Sequence, residues 1–316
     1  MPHRIKPWFA ALGDKQTGLL LVLLAAFLFS SKSIFIKLAY RYGGNADILL
    51  VLRMLFSLPI YIAILWRAGP QQHQKPVRTL LACVGCGFFG FYAASYLDLM
   101  GLEYIGAGLE RLILYSYPSI VLILSALVYR KPISPGMIIC VALSYLGIFI
   151  VYGADAQTAV IGDPVQYRNG ALLVLASAFC FAIYLTSSEY VLRFTQPSWF
   201  TAWAMIGASG VIAIHALIAG NIETLFGFHN GVYFYALIVA LFCTALPSIL
   251  ISAGIQRIGA SAAGVAGSAG PMLTFLLAAI LLDEVLSWRH LLGMAVVVAA
   301  ITLLSRLQSR TQVQTD

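Results

Sequence analysis

Apolar side chains follow one another in long continuous runs along nearly the whole chain, and short polar stretches separate these runs. Each run is about 20 residues long, the length that an α-helix needs to cross the hydrocarbon core of a bilayer. Strands of a membrane barrel would instead alternate apolar and polar residues. The pattern therefore predicts ten membrane-spanning helices, called spans 1 to 10 below, over residues 18–40, 46–66, 79–100, 105–128, 134–152, 170–192, 198–219, 231–253, 260–282 and 288–306.

The composition supports an all-α integral membrane protein. Of the 316 residues, 61% are hydrophobic and 10% are charged, whereas soluble domains carry about 25% charged residues. The five cysteines all fall inside the predicted spans, so we expect no disulfide framework. The net charge of +7 could attract nucleic acid in a soluble protein. In a membrane protein the basic residues are better explained by topology, and no nucleic-acid partner is expected.

Basic residues favour one side of the predicted bundle. If the N-terminus is cytoplasmic, most lysines and arginines outside the spans fall on the cytoplasmic side, among them Arg4, Lys6, Arg130 and Lys131. Cytoplasmic loops of membrane proteins are enriched in these residues. We therefore expect both termini to be cytoplasmic, in a multi-pass protein of a bacterial-type inner (plasma) membrane.

The chain also resembles itself. Residues 18–29 read GLLLVLLAAFLF, and residues 170–181, at a shift of 152, read GALLVLASAFCF. At a shift of 153, residues 101–118 (GLEYIGAGLERLILYSYP) align with residues 254–271 (GIQRIGASAAGVAGSAGP). Spans 1–5 and spans 6–10 are therefore predicted to be two copies of one unit. Because each copy has an odd number of spans, the second must enter the membrane from the opposite side, as in the inverted repeats of alternating-access transporters.

These segments carry a resemblance to a known family. The stretches FSSKSIFIKLAYRYG (29–43), VLRMLFSLP (51–59), GLEYIGAGLERLILYSYPSIVLILSALVYRKPIS (101–134), ALSYLGI (142–148) and AGSAGPMLTFLLAAILLDEVLS (266–287) resemble the EamA-type transporters of the drug/metabolite transporter superfamily. The resemblance implies ten helices in two EamA repeats. The expected organisation is an N-terminal cytoplasmic segment (1–17), a first EamA repeat (18–152), an external linker (153–169), a second EamA repeat (170–306) and a cytoplasmic tail (307–316).

Five charged residues interrupt the apolar spans of the first repeat. Lys32, Arg53, Asp98, Glu110 and Arg111 are all predicted to lie in the outer half of the membrane. A charge at the bilayer centre costs at least about 2.5–3.5 kcal/mol, so these groups should line a water-filled cavity or pair with one another. Three cations against two anions favour a substrate with a carboxylate or other anionic group. A set of purely structural ion pairs is the alternative.

The second copy lacks these charges, since Lys32 aligns with Tyr184 and Arg53 with Ala204. The first repeat is therefore predicted to supply the polar recognition. By contrast, Lys37 lies near a helix end and is expected to extend to the membrane surface. Glu189 and Arg193, four residues apart, are expected to pair locally. The predicted substrate site consists of Lys32, Arg53, Arg111, Glu110, Tyr115 and Tyr92.

Two further roles are expected in the spans. Glu110 and Asp98 are the candidate sites for proton coupling, because they are the acidic residues among the intramembrane charges. Pro118 and Pro271 occupy aligned positions in the two copies and can kink their helices, so they are candidate hinges. The small residues of span 9 that precede Pro271 predict a sliding surface or a wall of the transport path.

The sequence thus predicts a secondary transporter that works by alternating access and exports a small metabolite, such as an amino acid or a related zwitterionic or carboxylate compound. It has no Walker motif and no clustered metal ligands, so we expect no enzyme activity, cofactor or metal. The alternatives are a membrane-embedded enzyme and an accessory membrane subunit without transport activity. The expected partners are a small-molecule substrate and the lipid bilayer, with a homodimer as one option.

Overall fold

The computed structural model describes residues 14–68, 76–129, 133–158, 163–192, 194–219, 225–258 and 270–313, and these ranges contain helices and no strand. Eight of their helices are long and apolar enough to cross a membrane, and two shorter apolar helices, Gly270–Leu281 and Trp288–Leu304, lie at the positions of spans 9 and 10. The predicted all-α membrane class is therefore confirmed. The predicted sliding surface before residue 270 and the pair formed by Glu189 and Arg193 lie outside the described side chains.

Several spans consist of more than one helical piece. Their bounds are Asp14–Ser30 and Lys32–Arg41 for span 1, Ala46–Ala68 for span 2, Pro76–Gly87, Phe88–Ala93 and Ala94–Tyr104 for span 3, Ala107–Leu114 and Tyr117–Tyr129 for span 4, Pro135–Thr158 for span 5, Pro164–Val191 for span 6, Pro197–Ile218 for span 7, Asn230–Ala240, Leu241–Ala245 and Leu246–Ile258 for span 8, Gly270–Leu281 for span 9 and Trp288–Val313 for span 10.

The helices of spans 5 and 6 extend into the predicted linker 153–169. Span 5 continues to Thr158 and span 6 begins at Pro164. Asp163 caps the start of span 6, because its Oδ1 accepts a hydrogen bond of 2.9 Å from the backbone N–H of Val165. Proline suits the first position of a helix, where its missing N–H would have no partner in any case. The Asp-Pro pair therefore starts the helix earlier than the apolar pattern does.

The two halves share an irregularity that the sequence pattern did not predict. Phe88–Ala93 in span 3 and Leu241–Ala245 in span 8 are π-helical. A shift of 153 residues, which also aligns 101–118 with 254–271, places Phe88 on Leu241. A π-helical turn inserts an extra residue into the helix, so the side chains before and after it point in different directions than in a regular helix. The equivalent position in both copies indicates one repeated unit.

Contacts between the halves are also repeated. Span 1 packs against span 8 and span 3 against span 6, while spans 2 and 7, and spans 5 and 10, pack against each other. A Cβ atom on Gly101 would meet the side chain of Val174, and one on Gly254 would meet the side chain of Val22. Gly147 and Gly293 each face the carbonyl oxygen of the other. Each contact thus has a counterpart with the roles of the halves exchanged, which is the pattern of a pseudo-two-fold axis.

One pair of glycines tests this close packing. A Cβ atom on Gly87 would overlap the backbone of Ala204 in span 7, whereas a Cβ atom on Gly85 would have nothing within 4 Å. Gly87→Ala is therefore expected to destabilise the protein by about 1–3 kcal/mol through overpacking. Gly85→Ala, the matched control in the same helix, should be neutral or slightly stabilising. Thermal unfolding in detergent measures both, and equal midpoints for the two variants would contradict the contact.

Candidate functional site

Span 1 is interrupted at Ser31, and side chains from other spans satisfy its backbone there. Arg111 Nη2 of span 4 donates a hydrogen bond of 2.6 Å to the carbonyl oxygen of Phe29. Thr274 Oγ1 of span 9 donates one of 2.9 Å to the carbonyl oxygen of Ser30. Interrupted helices near polar groups are typical of substrate sites in transporters, because freed backbone groups need partners inside the membrane.

Span 4 is interrupted at Tyr115 and Ser116, just before Pro118. Proline has no N–H to donate to the carbonyl oxygen of Leu114, four residues earlier, so the first helix ends there. A Cβ atom on Gly270 would meet the hydroxyl groups of both Tyr115 and Ser30. Gly270 directly precedes Pro271, which is buried at the start of span 9. The two candidate hinge regions therefore lie close to each other and to the interruption of span 1.

Lys32 and Asp98 form a buried ion pair between spans 1 and 3. Lys32 Nζ lies 2.6 Å from Asp98 Oδ2, and the two side chains are 14% and 2% exposed. The sequence suggested both residues for different roles, Lys32 for substrate binding and Asp98 for proton coupling. Their pairing means that the charge of Lys32 is largely neutralised within the protein.

Glu110 lies at the centre of a second set of contacts. Its side chain is fully buried, and Glu110 Oε2 accepts a short hydrogen bond from the Ser33 hydroxyl group. Ser33 Oγ in turn accepts a hydrogen bond of 3.2 Å from Arg111 Nη2. Ser33 thus connects the adjacent residues Glu110 and Arg111, whose own side chains diverge on the helix. Sequence reasoning did not identify Ser33, although the serines of the FSSKS stretch were a signal within an apolar span.

The carboxyl groups of Asp98 and Glu110 interact with each other electrostatically. Asp98 Oδ1 and Glu110 Oε1 are both buried, and neither has a donor among the described residues. Two carboxylates in this position would repel each other, whereas a proton on one of them supplies the missing donor. The geometry therefore suits a pair that holds one proton between two carboxyl groups.

Arg53 carries the clearest unsatisfied donors of the site. Its side chain is 5% exposed, and Nε and Nη2 are buried without a hydrogen-bond partner in the described part of the chain. The nearby charge of Asp98 stabilises the guanidinium group electrostatically. A carboxylate can accept hydrogen bonds from two N–H groups of one guanidinium, so the chemistry of Arg53 fits an anionic ligand.

Two other predicted residues have different surroundings. The Tyr92 hydroxyl group lies 3.1 Å from His215 Nδ1 of span 7, and its ring stacks on Tyr96. The structure thus places Tyr92 in an aromatic cluster with span 7. Lys37 is half-buried and lies in the electrostatic field of Glu284. Partial burial is compatible with a side chain whose charged end reaches the membrane surface, so that expectation stays a prediction.

Glu284 joins the second repeat to the first at the start of span 4. Its Oε1 accepts a hydrogen bond of 2.8 Å from the backbone N–H of Ala107, and Oε2 accepts one of 3.3 Å from Gly108. Arg41 Nη2 donates a hydrogen bond of 2.7 Å to the carbonyl oxygen of Leu282. A carboxylate at a helix N-terminus satisfies free N–H groups and interacts favourably with the helix dipole.

His290 connects the second repeat to the end of span 5. His290 Nε2 lies 2.6 Å from Asp155 Oδ1, and Nδ1 accepts a hydrogen bond of 3.0 Å from the backbone N–H of Ser287. The Ser287 hydroxyl group is 2.7 Å from the same nitrogen. Serine, histidine and aspartate also form catalytic triads. Here, however, the ring is 2% exposed and bonds the backbone three residues earlier, so the arrangement is a helix cap.

Interrupted membrane helices around buried, oppositely charged side chains, in two halves related by a pseudo-two-fold axis, define an α-helical membrane transporter. Sequence comparison gives the family. The EamA-like transporter family matches residues 16–153 and 168–306, and the chain belongs to this family. Each matched segment comprises one of the two halves.

Relatives of the chain are named as transporters. It is 29% identical to the uncharacterized transporter YcbK of Bacillus subtilis (strain 168), over 92% of this chain and 93% of the relative. It is 27% identical to the threonine/homoserine exporter RhtA of Escherichia coli (strain K12), over 66% of this chain and 68% of RhtA. A crystal structure that is 16% identical superimposes with a TM-score of 0.63, covering 93% of this chain and 98% of its own. This last similarity concerns the fold alone.

Proposed function

We propose that the protein is a secondary transporter that exports a small metabolite with a carboxylate group, such as an amino acid or a related zwitterion, across a bacterial-type inner membrane. The observation that carries this proposal is the buried guanidinium of Arg53, whose Nε and Nη2 lack partners in the described part of the chain. Leaving charged donors unsatisfied in a membrane protein is costly. A substrate carboxylate would supply the acceptors in the loaded state.

The other charges of the site support an anionic group beside Arg53. Lys32, Arg53 and Arg111 are three cations, and Asp98 and Glu110 are two anions, so the cluster has a net charge of +1 when both carboxyl groups are ionised. A shared proton on the carboxyl pair raises this charge to +2. We infer that the site attracts a carboxylate in both states. The name of the relative RhtA, a threonine/homoserine exporter, agrees with an amino acid as substrate.

We infer further that the pair formed by Asp98 and Glu110 couples transport to protons. A zwitterionic substrate brings an ammonium group as well as a carboxylate. An ammonium group beside two carboxylates stabilises their ionised forms and disfavours the shared proton. Substrate and proton would then weaken each other's binding at the site, and such negative coupling between two ligands favours their exchange in opposite directions.

Purified protein in liposomes tests the proposal. Liposomes loaded with unlabelled threonine or homoserine should accumulate the radiolabelled compound by exchange, and an imposed proton gradient should drive accumulation without internal substrate. Acetate, glutamate and a set of other amino acids are tested as inhibitors of this exchange. Their relative inhibition shows which chemical groups of the substrate are recognised. No exchange with any carboxylate compound, by protein that is folded and monodisperse, would contradict the proposed function.

Glu110→Gln separates coupling from binding. Glutamine has nearly the same shape and stays neutral, so the variant resembles the protonated carboxyl pair at all times. We expect proton-driven accumulation to fall at least about ten-fold, whereas exchange of labelled for unlabelled substrate falls much less. Both are measured in the same liposomes. Equal loss of both activities would contradict a coupling role for Glu110, and wild-type levels of both would remove it from the site.

A further inference from the structure

One end of the bundle is closed by contacts between its loops. The connections after spans 1, 3, 5, 7 and 9 must lie on one face, because they follow every second span of an antiparallel series. At this face the ring of Tyr42, after span 1, stacks on His229, before span 8, with 5.0 Å between ring centroids. The orientation predicted by the basic residues makes this the external face.

The segment from Leu282 to His290, called the 282–290 segment below, holds the two repeats together at this end. Leu282 accepts the hydrogen bond from Arg41, Glu284 accepts those from Ala107 and Gly108, and His290 contacts Asp155. All three contacts join the second repeat to the first. Asp283 has a φ of 61°, the left-handed conformation that ends many helices, and the backbone N–H of Glu284 bonds the carbonyl oxygen of Ala278 as part of this cap.

The contact of Glu284 reaches the charged cluster most directly. The helix Ala107–Leu114 begins after Gly106, which has no side chain to cap it. Glu284 supplies this cap from the other repeat. The same helix carries Glu110 and Arg111 one turn further on, and the backbone N–H of Glu110 bonds the carbonyl oxygen of Gly106. A movement of Glu284 away from the helix would therefore release the first turn before the charged residues.

We propose that the 282–290 segment is the gate that closes the external end of the transport path, and that Glu284 is its latch, released in each cycle. The proposal rests on the proposed function, since a gate requires a path. Its physical basis is that the segment joins the two repeats at this end through the contacts of Leu282, Glu284 and His290. Alternating access moves the repeats relative to each other, and contacts of this kind must break when the external end opens.

A native cysteine reports the opening. Cys243 Sγ lies 3.5 Å from Ser31 Oγ, next to Lys32, and the side chain is 1% exposed. In a protein with alanine at the other four cysteines, a membrane-impermeant maleimide added outside should label Cys243 slowly. Glu284→Ala should raise this labelling rate about ten-fold, the factor by which loss of a helix cap shifts an equilibrium. Labelling of intact cells measures access to Cys243 from the external face, and labelling of inverted vesicles measures access from the cytoplasmic face.

Glu103→Ala is the matched control. Glu103 Oε1 accepts a hydrogen bond of 2.7 Å from the backbone N–H of Ala46 and so caps span 2. This is a cap of the same kind, but both residues belong to the first repeat. Labelling of Cys243 in the control should stay at the wild-type rate. An equal increase in Glu103→Ala and Glu284→Ala would overturn the proposal, because it would mean that any lost cap loosens the bundle.

Two further results bear on the proposal independently of transport. Glu284→Gln keeps one acceptor oxygen, so its Cys243 should be labelled at an intermediate rate. This variant replaces Glu284→Ala in the experiment if Glu284→Ala does not fold. A wild-type rate in folded Glu284 variants, or an increase only from the cytoplasmic face, would overturn the assignment of an external gate. Loss of transport in a Glu284 variant, together with an increased labelling rate of Cys243, supports the gate. Absence of transport in the wild type contradicts the proposed function, but the labelling rates of Cys243 would be unaffected.

Discussion

Replacing Arg53 with methionine is expected to reduce transport per inserted molecule by at least about a hundred-fold. Methionine keeps the length and apolar stem of the side chain and removes the guanidinium group. Two charge-assisted hydrogen bonds to a carboxylate contribute about 1.5–3 kcal/mol each, and every 1.4 kcal/mol corresponds to a factor of about ten. Insertion and yield should be maintained, since the variant removes a buried charge whose donors lack partners in the described part of the chain.

The measurement is initial uptake into liposomes, divided by the amount of inserted protein. Arg53→Lys should show an intermediate loss, because lysine keeps the charge but not the planar pair of donors. Arg67, which is exposed near the end of the same helix, provides the control, and Arg67→Met should transport at nearly the wild-type rate. Wild-type uptake by Arg53→Met would exclude Arg53 from substrate binding and favour a structural role for its charge.

Replacing Lys32 with methionine is expected to destabilise the protein by about 3–5 kcal/mol, because the variant leaves Asp98 buried and without its partner. On the cost of an intramembrane charge alone, removal of Lys32 would be expected to favour insertion. The ion pair with Asp98 changes this expectation. The double variant Lys32→Met/Asp98→Asn removes both charges and should recover most of the lost stability.

Thermal unfolding in detergent distinguishes these variants. A proton on Asp98 removes the unpaired charge of Lys32→Met. The loss of stability of this variant relative to the wild type should therefore be smaller in acidic than in alkaline buffer. The double variant should show no such dependence and should transport poorly, since it also lacks Asp98 of the carboxyl pair. A Lys32→Met protein as stable as the wild type, with a specific loss of transport, would instead support direct substrate contact by Lys32.

The spans could be predicted from the sequence because apolar length alone determines whether a helix can cross a bilayer. The interruption of span 4 was also predictable within a few residues, since Pro118 cannot complete a regular helix. The π-helical segments were not, because FFGFYA and LFCTA differ from ordinary apolar helix only in how their backbone hydrogen bonds are arranged. Such an arrangement depends on the neighbouring helices.

The charged residues could be named from the sequence, but their partners could not. Lys32 and Asp98 come from spans 1 and 3, and their pairing depends on how each helix is rotated about its axis. The cap that Glu284 provides to Ala107 joins positions 177 residues apart. Ser33 was overlooked because its importance arises only from its two neighbours across the helix boundary, Glu110 and Arg111. Local patterns carry no information on such contacts.

Because the main packing partners of the first half belong to the second half, the first half cannot complete its packing when it is synthesised. The most extensive helix contacts in the described ranges join spans of different halves. When span 5 leaves the ribosome, the surface around Gly101 has no span 6 to cover it, and the helix that begins at Ala107 has no Glu284 to cap it. At about 5–20 residues per second, the second half follows within roughly ten to thirty seconds. During this interval the newly made first half has to be shielded in the membrane by lipid, by the insertion machinery or by a chaperone.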